Sequence, residues 1–263
     1  LAQLNEANLS NADLQKADLY GAQLWQANLQ DTNLTNADLD HATLNYANLT
    51  NAVLKNASLR GATLRNVNLK NADLSNADFT NATFVDCQLE ATILDGANFT
   101  NVDLSSYKLT EINAHGNGLR SLNLSQTTFN KKDLLSLNLY GMTLQDVDLS
   151  DMDFSGTNMK GIDLRDSDLN NTDLSGADLS LGQLSGANLF SAVLWKTDLN
   201  EADLSNAFLG EADLSDANLS NANLKGANLL GANLKGANLT NANLEGANMS
   251  QANLVNATLD KAI

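Results

Sequence analysis

Few residues of this chain have the chemistry of a reactive or metal-holding site, and their spacing does not assemble one. Of 263 residues, two are histidines (His41 and His115) and one is a cysteine (Cys87), all far apart in sequence. Structural zinc sites draw four Cys or His ligands from closely spaced pairs, and zinc hydrolases place two histidines one helical turn apart. Neither CxxC nor HExxH occurs, nor do the GxxxxGK[ST] and GxGxxG loops that cradle phosphates. Aspartates abound, and paired carboxylates could do acid–base work. Here they recur every five residues, so a repeat sets their positions. No catalytic, cofactor-binding or metal-binding residue is assigned, and the chain is expected not to be an enzyme.

Residues suited to binding are easier to find. Phe190, Trp195 and Phe208, with Val193, stand where polar residues are otherwise the rule. Aromatic residues grouped in this way are enriched at interfaces. Tyr20, Trp25 and Tyr46 form a second, weaker group. Acidic residues crowd the second half, where Asp148, Asp153, Asp163 and Asp168 belong to a stretch from 146 to 178 opposed only by Lys160 and Arg165. The candidate interaction surface is therefore Phe190, Trp195 and Phe208, with Asp148, Asp153, Asp163 and Asp168 offered to a basic protein partner. The formal net charge of −16 repels nucleic acid and anionic membranes, so no direct nucleic-acid binding is expected. Lys55, Arg60, Arg65 and Lys70, spaced by five, form a belt and not a groove, which agrees.

These side chains must be positioned by a five-residue unit. From Ala7 the chain reads ANLSN, ADLQK, ADLYG, AQLWQ, ANLQD: a small residue, Asp or Asn, Leu, then two polar residues. The Leu centres fall on every fifth residue from Leu4 to Leu259 without a slip. Phe79, Phe84, Phe99, Phe129, Phe154, Met159, Met249 and Ala114 are the substitutes. On a helix, centres five residues apart would be rotated by about 140° and would scatter around it. On one continuous strand, successive centres would alternate faces. A three-residue extended piece followed by a bend satisfies the pattern. The first and third side chains then point inward and Asp or Asn points out. The second residue after each centre is often Gly or Asn, as at Asn11, Gly21, Asn36 and Gly61, and these tolerate the positive φ of a type II turn. Cys87 occupies a small inward position and is read as core.

This A(D/N)LXX motif, which covers essentially the whole chain, resembles the pentapeptide-repeat family. The resemblance implies an all-β fold: a right-handed quadrilateral parallel β-helix, about 13 coils of 20 residues, a single domain over 1–263. On a 20-residue coil Phe79 stacks on Phe99, and Val102, Leu122, Met142 and Ile162 form one inward column. Between 105 and 137 the small inward position is taken by Tyr107, Asn117 and Lys132 among others, and His115–Gly118 reads HGNG. A local irregularity, a wider coil or an extruded loop, is expected within 105–137.

For function, the leading expectation is a rigid scaffold or protein-interaction module, bacterial and without catalytic activity. A second is an acidic DNA mimic that binds a type II topoisomerase. It is drawn from a resemblance to the quinolone-resistance pentapeptide proteins, from which this chain departs in its leucine-dominated centres and its lack of a C-terminal dimerisation helix. A third is the interaction domain of a secreted bacterial effector. No run of apolar residues approaches the roughly 20 needed to span a membrane. With one cysteine and no signal segment in view, a cytoplasmic location is expected. Both ends read in repeat, which leaves open an end-to-end homodimer.

Overall fold

The pentapeptide Ala202–Asn206 shows how the chain is built. Ala202 and Leu204 point inward and are buried, while Asp203 faces out. Every backbone donor of the unit finds an acceptor. The N–H of Leu204 donates to the carbonyl of Asn223 at 2.7 Å and that of Asn206 to Lys225 at 2.9 Å, both one turn ahead. The N–H of Asp203 donates to Gly182 at 2.9 Å, one turn behind. The N–H of Ala207 closes the bend on the carbonyl of Leu204 at 3.1 Å. That leaves the N–H of Ser205, which the Asp203 side chain accepts at 3.0 Å. A buried or half-buried backbone donor must be paired, and a short Asp or Asn side chain reaches the N–H two residues on. This is the physical reason for Asp or Asn before each leucine.

The computed structural model describes residues 1–107 and 123–263, and of Asp133 and Ser136 the backbone alone. They fall into two compact units, Leu1–Leu137 and Asn138–Ile263, each made from this step. Successive outward residues pair in parallel with residues 20 further on, as in Gln3 with Gln23, Asn8 with Asn28, Asp13 with Asn33 and Asp18 with Asp38. Four pentapeptides therefore complete one turn of a parallel β-solenoid. The pairing lengthens into true strands at Thr63–Arg65 (β1) and Thr83–Val85 (β2), which run parallel with Thr63 opposite Thr83. At each bend, from Glu6 through Asn101 and from Gly141 through Lys261, the second residue after the centre has positive φ. Asn and Gly accept this readily. Leu181 adopts it too, at 61°, while half exposed.

Inside, the leucines form ladders that are almost wholly buried, each worth roughly 1.5–3 kcal/mol relative to exposure. Phe79 stacks on Phe99 with ring centroids 5.0 Å apart and planes 16° apart, and Phe84 meets Phe79 edge-on at 5.1 Å. Where Thr or Ser replaces the small Ala, the hydroxyl bonds a backbone carbonyl. Thr172 donates to Leu169 at 2.7 Å and Thr197 to Leu174 at 2.7 Å. Among the described residues no buried side-chain nitrogen or oxygen lacks a partner.

The regular step fails between Asn98 and Ser136. Asn98 pairs with Asn123 and Asp103 with Thr128, 25 residues on instead of 20. An added pentapeptide keeps the five-residue rhythm, so the sequence shows no slip although the turn is longer. The inward column expected from Val102 through Leu122 is corrected by this. Val102 accepts the Thr128 N–H at 3.3 Å, which sets it against Thr127, and Leu122 lies outside the described residues. Met142 and Ile162, in the second unit, are 20 apart and both buried. Residues 108–122 of the expected irregularity, with His115 and Asn117, also lie outside the described residues. Beyond them a 3₁₀ helix, Lys131–Ser136, replaces one repeat, with Asn130 accepting the Lys132 N–H at its start. It carries Lys132 into solvent, which removes the cost of enclosing an unpaired ammonium. Tyr107 is half-buried, and its hydroxyl accepts the Cys87 N–H at 2.8 Å. Burial pushes both the Tyr107 phenol and the Cys87 thiol up from their ordinary values, and Cys87 is buried in the core.

Candidate functional site

The outward residues stack in columns because each pairs with the residue 20 ahead, and side-chain amides link them. The Asn223 amide donates to Asp203 at 2.9 Å and that of Asn233 to Asp213 at 2.9 Å. The later turn supplies the donor and the earlier turn the acceptor. An Asp therefore sits below an Asn at no electrostatic cost.

Like those that Val53 and Val193 interrupt, the column of Phe208 breaks this rule. It runs Asp148, Asp168, Asn188, Phe208, Asn228, Asn248. Below the break, Asp168 accepts from the Asn188 amide at 2.9 Å and from both the backbone and the side chain of Asn170. Above it, the Asn248 amide donates to Asn228 at 3.4 Å. Phe208 can neither accept the Asn228 amide nor hold the backbone N–H of Gly210, the role that Asn188 plays for Phe190 and Asn228 for Leu230. Neither of these two donors has a partner among the described residues.

Beside this column runs another, Asn170, Phe190, Gly210, Leu230, again in steps of 20. Phe190 leans onto the next turn, and a Cβ at Gly210 would sit 3.2 Å from the Phe190 ring. Glycine is there for space, since its φ is not in the left-handed region. The result is an open groove of about 500 Å³ lined by Asn170, Asn188, Phe190, Phe208, Gly210 and Asn228. Phe190 is 46% exposed, Phe208 53% and Leu230, above the groove, 41%.

The expected surface residues thus separate onto different faces. Phe190, Phe208, Asp148 and Asp168 share one. Trp195 lies past the next bend, beside Val193, in whose column Asp153 and Asp173 also stand. There the Lys196 ammonium lies 4.4 Å from the Trp195 ring centroid, an attraction between cation and π-face. Asp163 belongs to a further column with Thr143 and Gln183, and Arg165 grips it through two bonds of 2.9 and 2.6 Å. Asp148 and Asp153 are exposed, and Asp163 and Asp168 half-buried. The Ser155 side chain and backbone N–H hold the Asp153 carboxyl below its ordinary value. The sequence reading missed Gly210, Leu230 and Asn228. Adding 20 to Phe190 and Phe208 would have found Gly210 and Asn228, and a second step of 20 from Phe190 would have found Leu230.

The weaker aromatic group also divides. Tyr20 meets His41 edge-on at 5.5 Å, and Trp25 meets Tyr46 at 6.5 Å. Beside the first pair, Asp40 is buried against Arg60, whose guanidinium makes bonds of 3.0 and 2.8 Å. Burial alone would raise the Asp40 carboxyl, but the bonds from Arg60 and Ser58 hold it low. Among the described residues no three His, Cys, Asp or Glu side chains are grouped to hold a metal ion.

Stacked pentapeptides, a leucine interior and outward columns of polar residues define a β-solenoid repeat protein. A family model for pentapeptide repeats matches the chain over 2–116, 143–180 and 183–263 in overlapping copies, and the chain belongs to the pentapeptide-repeat family. Among solved structures it is similar to HetL, a pentapeptide repeat protein involved in heterocyst differentiation regulation from the cyanobacterium Nostoc sp. strain PCC 7120. The identity is 32%, covering 100% of this chain and 89% of HetL, with a TM-score of 0.23. It is also similar to Rfr23 from the cyanobacterium Cyanothece 51142, at 35% identity over 49% of this chain and 97% of that one, TM-score 0.23. Full-length QnrB1, a plasmid-mediated fluoroquinolone resistance protein, matches at 14% identity over 100% and 91%, TM-score 0.25. No curated protein matches the chain. No helix among the described residues is long and apolar enough to cross a membrane.

Proposed function

We propose that this chain is a rigid protein-interaction scaffold without catalytic activity, acting in the cytoplasm as one domain of about 13 right-handed turns. The exposed groove of Phe190 and Phe208 carries the reading. Aromatic side chains are held out in solvent on turns bonded to each other on four sides, by the N–H groups of Leu184, Leu189, Leu194 and Leu199 to the carbonyls of Asp203, Phe208, Asp213 and Asn218. Such side chains lose little conformational entropy on binding. The aspartates of 146–178 are in large part acceptors that the backbone requires. That supports the aromatic face, and not a duplex-like acidic cylinder, as the principal surface, with the net negative charge favouring a basic partner.

A pulldown from the source organism tests this, comparing wild type with Phe208→Ala, with Trp195→Ala and with the corner reversals Asp146→Lys and Asp151→Lys. Lysine is tolerated at such corners, as Lys16 and Lys196 show by their positive φ. At least one partner should be lost with Phe208→Ala and weakened by the reversals. Partners indifferent to all four changes would remove the reading.

A further inference from the structure

We infer that the face from Asp168 to Leu230 docks one extended peptide segment. Its apolar side chain fills the groove between Phe190 and Phe208, its backbone carbonyls meet the vacant donors of Gly210 and Asn228, and a Lys or Arg three to five residues away reaches Asp168. This rests on the interaction reading above and names the kind of partner.

Three observations converge on it. The groove of about 500 Å³ sets the two rings of Phe190 and Phe208 among the side-chain amides of Asn170, Asn188 and Asn228. At its floor and rim stand two donors that the ladder satisfies elsewhere. The Gly210 N–H follows Phe208 where an Asp or Asn should accept it, and the Asn228 amide lies above Phe208 where the same acceptor is missing. Gly210 is itself buried, and an unmet backbone donor there is unfavourable until a ligand oxygen arrives. A peptide carbonyl is such an oxygen, and an extended segment presents one at each residue.

The third observation is charge. Directly below the groove in the same column lies Asp168, held by the neutral amides of Asn170 and Asn188, with no ion pair to a cation among the described residues. Asp166 and Asp151 border it on the two corners, and Glu211 flanks Gly210. From 146 to 251, the columns of this face contain no Lys or Arg, while Arg165 and Lys225 stand in one of the bends that border it. Turns lie about 4.8 Å apart, so Asp168 and Phe208 are separated by about 10 Å, a distance an extended chain covers in about three residues. A second copy of this chain fits poorly, because the same acidic face on a molecule of net charge −16 would meet itself.

Fluorescence anisotropy with labelled 12-residue synthetic peptides, titrated with the intact chain, reads this directly. The lead peptide carries two lysines and a Phe-Leu pair separated by three residues. Its companions replace the lysines by glutamate, replace Phe-Leu by Ser-Ser, or set the spacing to zero or eight. The variant Phe208→Asn restores the acceptor for both vacant donors and the sequence of the repeat, so it should melt no lower than wild type while weakening the lead peptide at least tenfold. Asp168→Asn keeps the acceptor oxygen, removes the charge and should weaken the peptide several-fold, with the difference shrinking at high salt. Tyr140→Ser, an exposed aromatic half a turn away from the Asn170–Phe190 column, should leave affinity unchanged. Equal binding by wild type and Phe208→Asn, or affinity that ignores lysines or spacing, overturns the inference. Absence of binding by every peptide also overturns it, and the pulldown result then stands or falls separately.

Discussion

Asp203 illustrates how much one outward side chain does in this molecule. Its Oδ1 accepts the Ser205 N–H at 3.0 Å and the Asn223 amide at 2.9 Å, so it serves its own turn and the next. Asp203→Ala strands both donors and should cost about 1–3 kcal/mol, whereas Asp203→Asn keeps the acceptor and should fall within about 0.5 kcal/mol of wild type. Urea unfolding of the two variants decides, and equal midpoints would mean that the side chain is only a solubilising group. At this scale the sequence was readable in type but not in purpose. That Asp or Asn precedes each leucine is plain on inspection. That it is there to accept the one N–H left over by the solenoid requires knowing where the other four go. The same gap hid Gly210. A glycine in place of a polar residue means nothing until Phe190 is seen lying across it.

The element is the bend-and-extension of five residues, and its weak point is the bend. A left-handed backbone costs a residue with a Cβ roughly 1–2 kcal/mol, less for Asn. Leu181 bears this at φ 61° while its side chain is half exposed and so gains little from burial. Leu181→Asn should therefore raise stability by about 0.5–1 kcal/mol, seen as an upward shift in melting temperature. A lower melting temperature would show that the Leu181 side chain makes a contact that matters more than the backbone. The five-residue element itself was fully legible, because a period that suits neither helix nor strand leaves few ways to fold. The inward residues of 105–137 signalled a wider coil or an extruded loop, but the step of 25 between Asn98 and Asn123 was not itself legible. Inserting one whole unit preserves the rhythm on which the reading relied, and only the turn-to-turn pairing reveals it. The 3₁₀ helix at Lys131–Ser136 was signalled more faintly, by Lys132 at an inward position.

On the scale of the whole molecule, contacts run mainly between adjacent turns, so each turn depends on its neighbours and little on the rest. A change in one column can then alter recognition without altering the fold. This is why Phe208, an intruder among Asp and Asn, could be accommodated. The net charge of −16 gives the surface a sign, but the columns decide which outward side chains stand together, and columns follow only once the 20-residue turn is known. Amide hydrogen exchange on the intact chain tests this account most directly. The N–H groups of Leu204, Asn206 and Leu209, bonded from turn to turn, should exchange slowly, while the Gly210 N–H, in the same pentapeptide as Leu209 and buried beneath Phe190, should exchange markedly faster. Exchange of Leu204 and Leu209 as fast as that of Gly210, or a Gly210 amide as protected as theirs, would contradict the bonding scheme from which both the fold and the docking face are argued.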